Sequence, residues 1–155
     1  MKKLLLLLSF MTLSISAAPS LNYEVINLQG EKVSLTEFKG RVVYLDFWAS
    51  WCGPCRKSFP WMNAMHQKYQ QQGLAIVAIN LDADRASADK FLSSFPADFH
   101  IRFDPKADVA SQFDLLGMPS SYIFNRQGEL VHKHQGFFKE RSVGYENELI
   151  ELLKE

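Results

Sequence analysis

The two cysteines of the chain are the residues best suited to do chemistry. Cys52 and Cys55 are the only cysteines among the 155 residues, and only Gly53 and Pro54 separate them. A disulfide across so short a loop would constrain the unfolded chain very little, because the entropic contribution of a disulfide grows with loop length. We therefore interpret the pair as a redox-active disulfide and dithiol, rather than as a structural link between distant segments.

A reactive cysteine acts as its thiolate, so Cys52 needs a neighbouring group that favours negative charge. The apolar run 42–48 predicts a buried strand, and the pattern after it predicts a helix beginning near Cys52, with Pro54 at its first helical position. The unpaired N–H groups at that helix start would stabilise a thiolate. We expect Cys52 to attack a substrate disulfide, and Cys55, on the same helical face, to resolve the resulting mixed disulfide.

The residues around the cysteines have expected roles of their own. Trp51 stands beside Cys52 and would shield its sulfur from water. Gly53 would leave room for a partner chain, and Pro54 would stiffen the turn between the two sulfurs. Pro60 falls inside the predicted helix, where loss of a backbone hydrogen bond favours a kink.

The elements that must hold the cysteines alternate between strands and helices. A hairpin is predicted from Tyr23 to Leu35, with its turn at Gly30. The remaining predictions are strands at 41–48 and 74–81, helices at 54–72 and 85–95, a strand at 101–103, a helical stretch at 107–113, a hairpin of 121–125 with 129–134, and a helix at 144–154. This order predicts an α/β fold in which a mixed central β-sheet is covered by helices on both faces.

The first 18 residues have the layout of a secretory leader. Met1-Lys2-Lys3 is followed by the apolar run 4–8 and by small residues at 14–18. The run is shorter than the roughly 20 apolar residues of a membrane span. We interpret 1–18 as a cleaved signal peptide and 19–155 as one exported domain, which is expected to be soluble.

Composition argues against several classes of function. Loss of Lys2 and Lys3 with the leader leaves 15 basic residues against 17 acidic ones, a net charge of −2, which gives no electrostatic case for nucleic-acid binding. His132 and His134 share one face of a predicted strand, but no carboxylate or cysteine joins them in sequence, so they are interpreted as solvent-facing. The sequence therefore predicts no metal site and no cofactor beyond the cysteine pair.

The motif around the cysteines resembles the active-site region of thioredoxins. It consists of Asp46-Phe47-Trp48-Ala49 followed by Trp51-Cys52-Gly53-Pro54-Cys55. Other segments resemble the periplasmic or membrane-anchored thiol-disulfide oxidoreductases of the TlpA and ResA type: these are 79–82, 103–105, 116–120, 122–125 and 127–128. The resemblance covers about residues 21–154. It implies a thioredoxin fold with the predicted N-terminal β-hairpin as an extension.

Two further site residues follow from that resemblance. Pro119 matches the proline that is cis in this fold, and its position implies that the backbone of Met118 pairs with an extended substrate strand. Asp46 matches the buried acid of thioredoxins, which implies that it accepts or relays a proton as Cys55 attacks. The alternative is a structural ion pair of Asp46 with a lysine such as Lys57. The narrower relatives usually carry Asn at the Asp46 position and Glu at the Ser58 position, so the resemblance leaves a role in cytochrome maturation open.

The function implied is an exported thiol-disulfide oxidoreductase that acts on protein disulfides, as a reductase. Its direction follows from Gly53-Pro54, the pair of the reducing thioredoxins. A reductant in an oxidising periplasm implies a membrane thiol electron donor resembling DsbD or CcdA, and the absence of a dimerisation domain favours a monomer. Two alternatives stay open: a disulfide oxidant or isomerase, and a non-enzymatic copper metallochaperone, whose Sco-type relatives separate their cysteines by three residues.

Overall fold

The computed structural model describes residues 19–155, so the predicted signal peptide at 1–18 lies outside the described residues. The strands are β1 (Glu24–Ile26), β2 (Lys32–Ser34), β3 (Val42–Trp48), β4 (Leu74–Asn80), β5 (His100–Phe103), β6 (Ser120–Phe124) and β7 (Leu130–Gln135). The α-helices are α1 (Cys55–Tyr69), α2 (Arg85–Ser94) and α3 (Ser142–Leu153). Within this range, no helix has the length and apolar character needed to cross a membrane.

The strands form one mixed sheet in the order β2-β1-β5-β4-β3-β6-β7. β3 lies near its centre, parallel to β4 and antiparallel to β6. All seven residues of β3 are buried, as expected for an apolar strand with neighbours on both sides. β1 and β2 form the predicted N-terminal hairpin, with Gly30 at a positive φ in its turn. The mixed α/β sheet predicted from the pattern of strands and helices is confirmed.

Alternate residues of β3 point to two separate apolar clusters. Tyr44 and Trp48 face the cluster that we call the cysteine-side core, which contains Cys52, Cys55 and buried residues of all three α-helices. Leu45 and Phe47 face the opposite cluster, the hairpin-side core, built mainly from the hairpin region, strands β3, β4 and β6, and residues 109–113. Two short 3-10 helices, Leu35–Phe38 and Ala110–Gln112, also cover this second face.

The helical stretch predicted at 107–113 is only a single 3-10 turn at Ala110–Gln112. Its start is determined by Asp104, whose buried carboxylate accepts the backbone N–H groups of Asp108, Val109 and Ala110 at 2.9–3.0 Å. Ala107 adopts a positive φ of 56°, which interrupts helical geometry immediately before this turn. The carboxylate therefore acts as a cap, because it satisfies N–H groups that have no partner within the turn.

Candidate active site

Cys52 and Cys55 form a disulfide between the end of β3 and the start of α1. Their Cα atoms are 5.4 Å apart. The side chains differ little in burial: Cys52 is 3% exposed and Cys55 is fully buried in the cysteine-side core. Cys52 is thus the sulfur nearer to solvent, as expected for the cysteine that first meets a substrate.

The helix begins later than the sequence pattern predicts. α1 starts at Cys55, so Cys52 precedes its first turn, and Pro54 occupies the N-cap position instead of the first helical one. The reason is that the backbone turns at Gly53-Pro54, whose carbonyls accept the N–H groups of Arg56 and Lys57. The helix start still reaches Cys52, because the backbone N–H of Cys55 donates to its Sγ at 3.3 Å. A donor aimed at this sulfur favours its thiolate in the reduced protein.

The surface beside the disulfide is open. Trp51 is 70% exposed and lines a groove of about 590 Å³ together with Leu81, Leu116 and Met118. At Gly53, a Cβ atom would meet nothing within 4 Å, which agrees with the prediction that this position leaves room for a partner. Leu116 is 80% exposed on the same groove, so apolar surface faces solvent next to the reactive pair.

Met118 and Pro119 follow this groove, and the peptide bond between them is cis, as the resemblance implied. Met118 packs against the cysteine-side core. Hydrogen bonds hold the loop on both sides: Ser120 Oγ donates to the Gly117 carbonyl at 2.7 Å, and the N–H of Gly136 donates to the Pro119 carbonyl at 2.8 Å. The loop is therefore attached to the sheet at the position where it passes the disulfide region.

Asp46 lies on β3 between Tyr44 and Trp48, on the face of the cysteine-side core. Its side chain is 1% exposed, and its Oδ2 atom has no hydrogen-bond partner. Burial raises the pKa of this carboxyl well above its usual value. The alternative ion pair with Lys57 is not formed, since none of the ion pairs among residues 19–155 includes Asp46. Asp46 is therefore a buried carboxyl that keeps its proton at neutral pH more readily than an exposed aspartate does.

A second carboxylate, which the sequence analysis did not assign to the site, holds the loop before the cysteines. Asp82 accepts the backbone N–H and the hydroxyl of Ser50, both at 2.8 Å, and the side-chain amide of Asn80 at 2.7 Å. Ser50 immediately precedes Trp51 and Cys52. These bonds attach the active-site loop to the end of β4. The sequence does contain an indication of this contact, because the apolar run of the predicted strand 74–81 ends in polar residues within 80–82.

His134 also differs from its prediction. It is not solvent-facing: its Nε2 lies 2.6 Å from Oε2 of Glu148 on α3, and its ring lies 4.8 Å from that of Tyr145. Within residues 19–155, no group of three or more His, Cys, Asp or Glu side chains is arranged to hold a metal ion. His134 instead links the edge strand β7 to the C-terminal helix.

Comparison with known proteins supports this geometry. A family model described as Redoxin matches residues 14–149. The thiol-disulfide oxidoreductase ResA of Bacillus thuringiensis subsp. konkukian is 30% identical over 115 residues, which cover 74% of this chain and 66% of that relative. ResA of Halalkalibacterium halodurans is 30% identical over 135 residues, covering 87% of this chain and 75% of that relative. The match thus spans somewhat under two thirds of the first relative and three quarters of the second.

A solved structure shows the same fold. The crystal structure of a Chlorobium tepidum protein, assigned as thiol:disulfide interchange protein DsbE, has a TM-score of 0.84 and 41% sequence identity to this chain. The alignment covers 89% of this chain and 97% of that protein. The chain therefore belongs to the Redoxin family, among the thioredoxin-fold thiol-disulfide oxidoreductases of the TlpA and ResA type.

Proposed function

We propose that this protein exchanges its Cys52–Cys55 pair with disulfides of other proteins, and that it acts in the direction of reduction. The observation that carries the exchange chemistry is the backbone N–H of Cys55, which points at the sulfur of Cys52, whereas the direction rests on the Gly53-Pro54 pair. Cys52 is thereby favoured as a thiolate, and it is the less deeply buried of the two sulfurs. The relatives named thiol-disulfide oxidoreductase support the same chemistry.

The reaction takes place in two exchanges. The Cys52 thiolate attacks one sulfur of the substrate disulfide, and the other substrate sulfur leaves with an electron pair and takes a proton from water. Cys55 then attacks the sulfur of Cys52, closes the intramolecular disulfide and releases the second substrate sulfur. The substrate gains two electrons and the cysteine pair loses two. Asp46 accepts the proton that Cys55 gives up in this second exchange, as the buried base of the site.

The groove beside the disulfide receives the substrate chain. Trp51 and Met118 line this groove, and Gly53, Pro54 and Pro119 flank them in the chain. The backbone at Met118 and Pro119 pairs with an extended segment of the substrate. The exposed side chains of Trp51 and Leu116 favour a substrate segment with apolar residues on either side of its cysteine.

The setting of the reaction is also part of the proposal. The leader at 1–18 exports the chain to the periplasm, where a reductant must be regenerated by a membrane thiol donor resembling DsbD or CcdA. The Gly53-Pro54 pair supports reduction, because thioredoxins with this pair have low reduction potentials. We propose a monomer that needs no metal and no cofactor apart from its own disulfide.

The test is the midpoint potential of Cys52/Cys55 in the protein without its leader, equilibrated against glutathione and dithiothreitol. A value near or below about −230 mV supports the reductase, and a value near about −120 mV makes the protein an oxidant. Reduced protein is also expected to cleave the disulfides of insulin. Stoichiometric binding of copper without disulfide exchange would instead support the metallochaperone.

The roles of the two sulfurs are tested by separate variants. Cys55→Ser is expected to accumulate a mixed disulfide with a protein substrate through Cys52, because the resolving thiol is missing. Cys52→Ser is the matched control, since it removes the attacking thiol and should trap nothing. Trapping by Cys52→Ser instead of Cys55→Ser would reverse the two assignments.

A further inference from the structure

A row of polar side chains crosses the sheet on the face of the cysteine-side core. Asp46 on β3 lies directly opposite Ser121 on β6, and Ser121 lies directly opposite His134 on β7. Residues paired in register on adjacent strands point to the same face of a sheet. Beside this row on the same face, Trp48 and Ile123 are apolar core residues. The three polar side chains therefore form a row across three adjacent strands, from β3 through β6 to β7.

The row leads from the interior towards solvent. Asp46 and Ser121 are 1% and 3% exposed. The side chain of His134 is 18% exposed, and that of Glu148, 2.6 Å away, is 28% exposed. The buried end of the row thus has almost no contact with water, whereas the end at α3 is reached by it.

Two tyrosines lie beside the row. Tyr44 stands two residues before Asp46 on the same face, and the side chain of Ser121 lies close enough to its phenol to lower its pKa. Burial, and next the carboxyl of Asp46, raise the pKa of Tyr44 well above its usual value, so its phenol stays neutral and can both donate and accept a hydrogen bond. Tyr145 on α3 packs against the ring of His134 at 4.8 Å.

On its other side in the sheet, Asp46 has no polar neighbour across from it among the described residues. Its register partner on β4 is Ala78, which carries no polar group. From the start of α1, the cysteine-side core contributes Cys52 and Cys55, which are the reacting groups themselves. Ser58 on α1 is also buried, but its hydroxyl donates to the carbonyl of Cys55 at 3.0 Å. The polar groups that lead from Asp46 across the sheet are those of β6 and β7.

A buried base in this position needs such a route. Because burial keeps the carboxyl of Asp46 protonated, it must lose its own proton before it can accept the proton of Cys55. Water reaches 1% of its surface, so direct exchange with bulk solvent is restricted. The proton has to cross the apolar layer by way of polar groups, with side-chain rotation or a bridging water closing any gap between them.

We propose that Ser121 and His134, with Tyr44 and Glu148 beside them, form the proton path that connects Asp46 to solvent during the resolving step. In that step the Asp46 proton leaves along the row to water at the Glu148 end. Asp46 then takes the proton of Cys55, the bond between Cys52 and the substrate sulfur breaks, and the Cys52–Cys55 bond forms. The substrate sulfur leaves with the electron pair. Ser121 and His134 act through Asp46 and are relay residues, not groups that touch the substrate.

The experiment uses the two-phase reaction of the reduced protein with Ellman's reagent, followed in stopped flow from pH 5 to 9. The first phase reports attack by Cys52, and the second reports resolution by Cys55. Asp46→Asn is expected to slow the second phase by about tenfold or more, as general-base removal does. Ser121→Ala and His134→Gln are expected to slow it by about threefold or more and to raise its solvent deuterium isotope effect, with the first phase unchanged.

His132→Gln is the matched control. His132 lies on the same strand and stacks against His134 at 6.3 Å between ring centres, and its register partner is the apolar Ile123. It should leave both phases as they are. Glu148→Gln provides a second variant at the exposed end of the row if Ser121→Ala fails to fold.

The inference depends on the proposed role of Asp46, and the variants separate the two. If Asp46→Asn slows the second phase but Ser121→Ala and His134→Gln do not, the proton path is wrong, whereas the role of Asp46 as the base is supported. If Asp46→Asn leaves the second phase unchanged, both the base and its path are wrong. A decrease in the first phase equal to that in the second would show a structural effect and would also overturn the path.

Discussion

Asp46 is a residue whose surroundings oppose its charge. Burial raises its pKa well above its usual value in the folded protein, whereas an aspartate in an unfolded chain has a pKa of about 3.9. Between these two values the folded protein holds a proton that the unfolded chain has released. The free energy of unfolding therefore falls as the pH rises through this window, and the whole loss is present above the folded pKa.

Replacement of this carboxyl is expected to stabilise the protein. Asp46→Asn should raise the free energy of unfolding of the oxidised protein at pH 8 by about 1 kcal/mol or more, because the amide has no charge to bury. For a domain of this size that corresponds to about 2–4 °C per kcal/mol. The difference from the unmodified protein should vanish near about pH 4, where the unfolded chain is protonated too. Thermal unfolding between pH 4 and 8 measures it.

Asp108→Asn serves as the control for that comparison, because Asp108 is exposed and its curve should follow that of the unmodified protein. If Asp46→Asn were less stable at pH 8, the carboxylate of Asp46 would have a stabilising partner in the folded protein, and the stated origin of its raised pKa would be wrong.

At the scale of elements, the connection after β4 orients the loop after β3. The backbone N–H of Leu81 donates to the Trp48 carbonyl, and Asp82 accepts both polar hydrogens of Ser50. Two parallel strands are thereby joined at the edge where the cysteine loop begins. Because Asp82 is itself buried, removal of its carboxylate leaves donors without acceptors, which costs more than the loss of an exposed contact.

Asp82→Ala is expected to lower the free energy of unfolding by about 1.5–3 kcal/mol, the range for hydrogen bonds to a charged group. It should also slow attack by Cys52, because Ser50 no longer fixes the backbone in front of Trp51. Urea unfolding and the first phase of the reaction with Ellman's reagent measure the two effects.

Asp84→Ala, two positions along the chain, is the control that separates an effect on stability from an effect on the position of the cysteine loop. Asp84 caps α2 by accepting the N–H of Ala86, so its loss should cost about 1 kcal/mol and leave the rate of attack unchanged. If Asp82→Ala destabilised the protein with no change in the rate of attack, Asp82 would only hold the fold and not position the loop.

At the scale of the whole molecule, the sheet separates two apolar clusters with different tasks. The cysteine-side core contains the disulfide and packs against the three α-helices. The hairpin-side core lies on the other face and is closed by the N-terminal hairpin, with Leu35 and Phe38 among its buried residues. Because the two clusters lie on opposite faces of the sheet, we expect a cavity in one to remove contacts from that cluster alone.

Leu35→Ala is expected to lower the free energy of unfolding by about 2–5 kcal/mol, because it leaves a cavity in the hairpin-side core. It should destabilise the oxidised and the reduced protein equally, so that the midpoint potential of the cysteines does not change. Urea unfolding of both redox forms provides the comparison.

Leu28→Ala offers the same chemical change on an exposed position of the hairpin turn, and it should shift stability by less than about 0.5 kcal/mol. Unequal losses in the two redox forms of Leu35→Ala would mean that the hairpin affects the active site through the sheet.

The sequence predicted well the features that depend on residues close together in the chain. Alternation and apolar runs located the hairpin at Glu24–Ile26 and Lys32–Ser34 and the central strand at Val42–Trp48. The spacing of Cys52 and Cys55 was sufficient to predict their disulfide. The resemblance to thioredoxins placed the cis bond before Pro119. These features follow from local periodicity, short spacings and a motif, all of which the chain displays directly.

Features that join distant segments were decided only by the tertiary structure. The contact of Asp82 with Ser50 spans 32 positions in the chain, and that of His134 with Glu148 spans 14. The turn at Ala110–Gln112 is short because Ala107 and Asp114, on either side of it, adopt positive φ angles. Asp46 has no lysine partner and stands opposite Ser121 because the order and register of the strands place it there. The sequence by itself determined which two residues form the disulfide. The polar groups that surround the site depend on strand pairing, which no local pattern encodes.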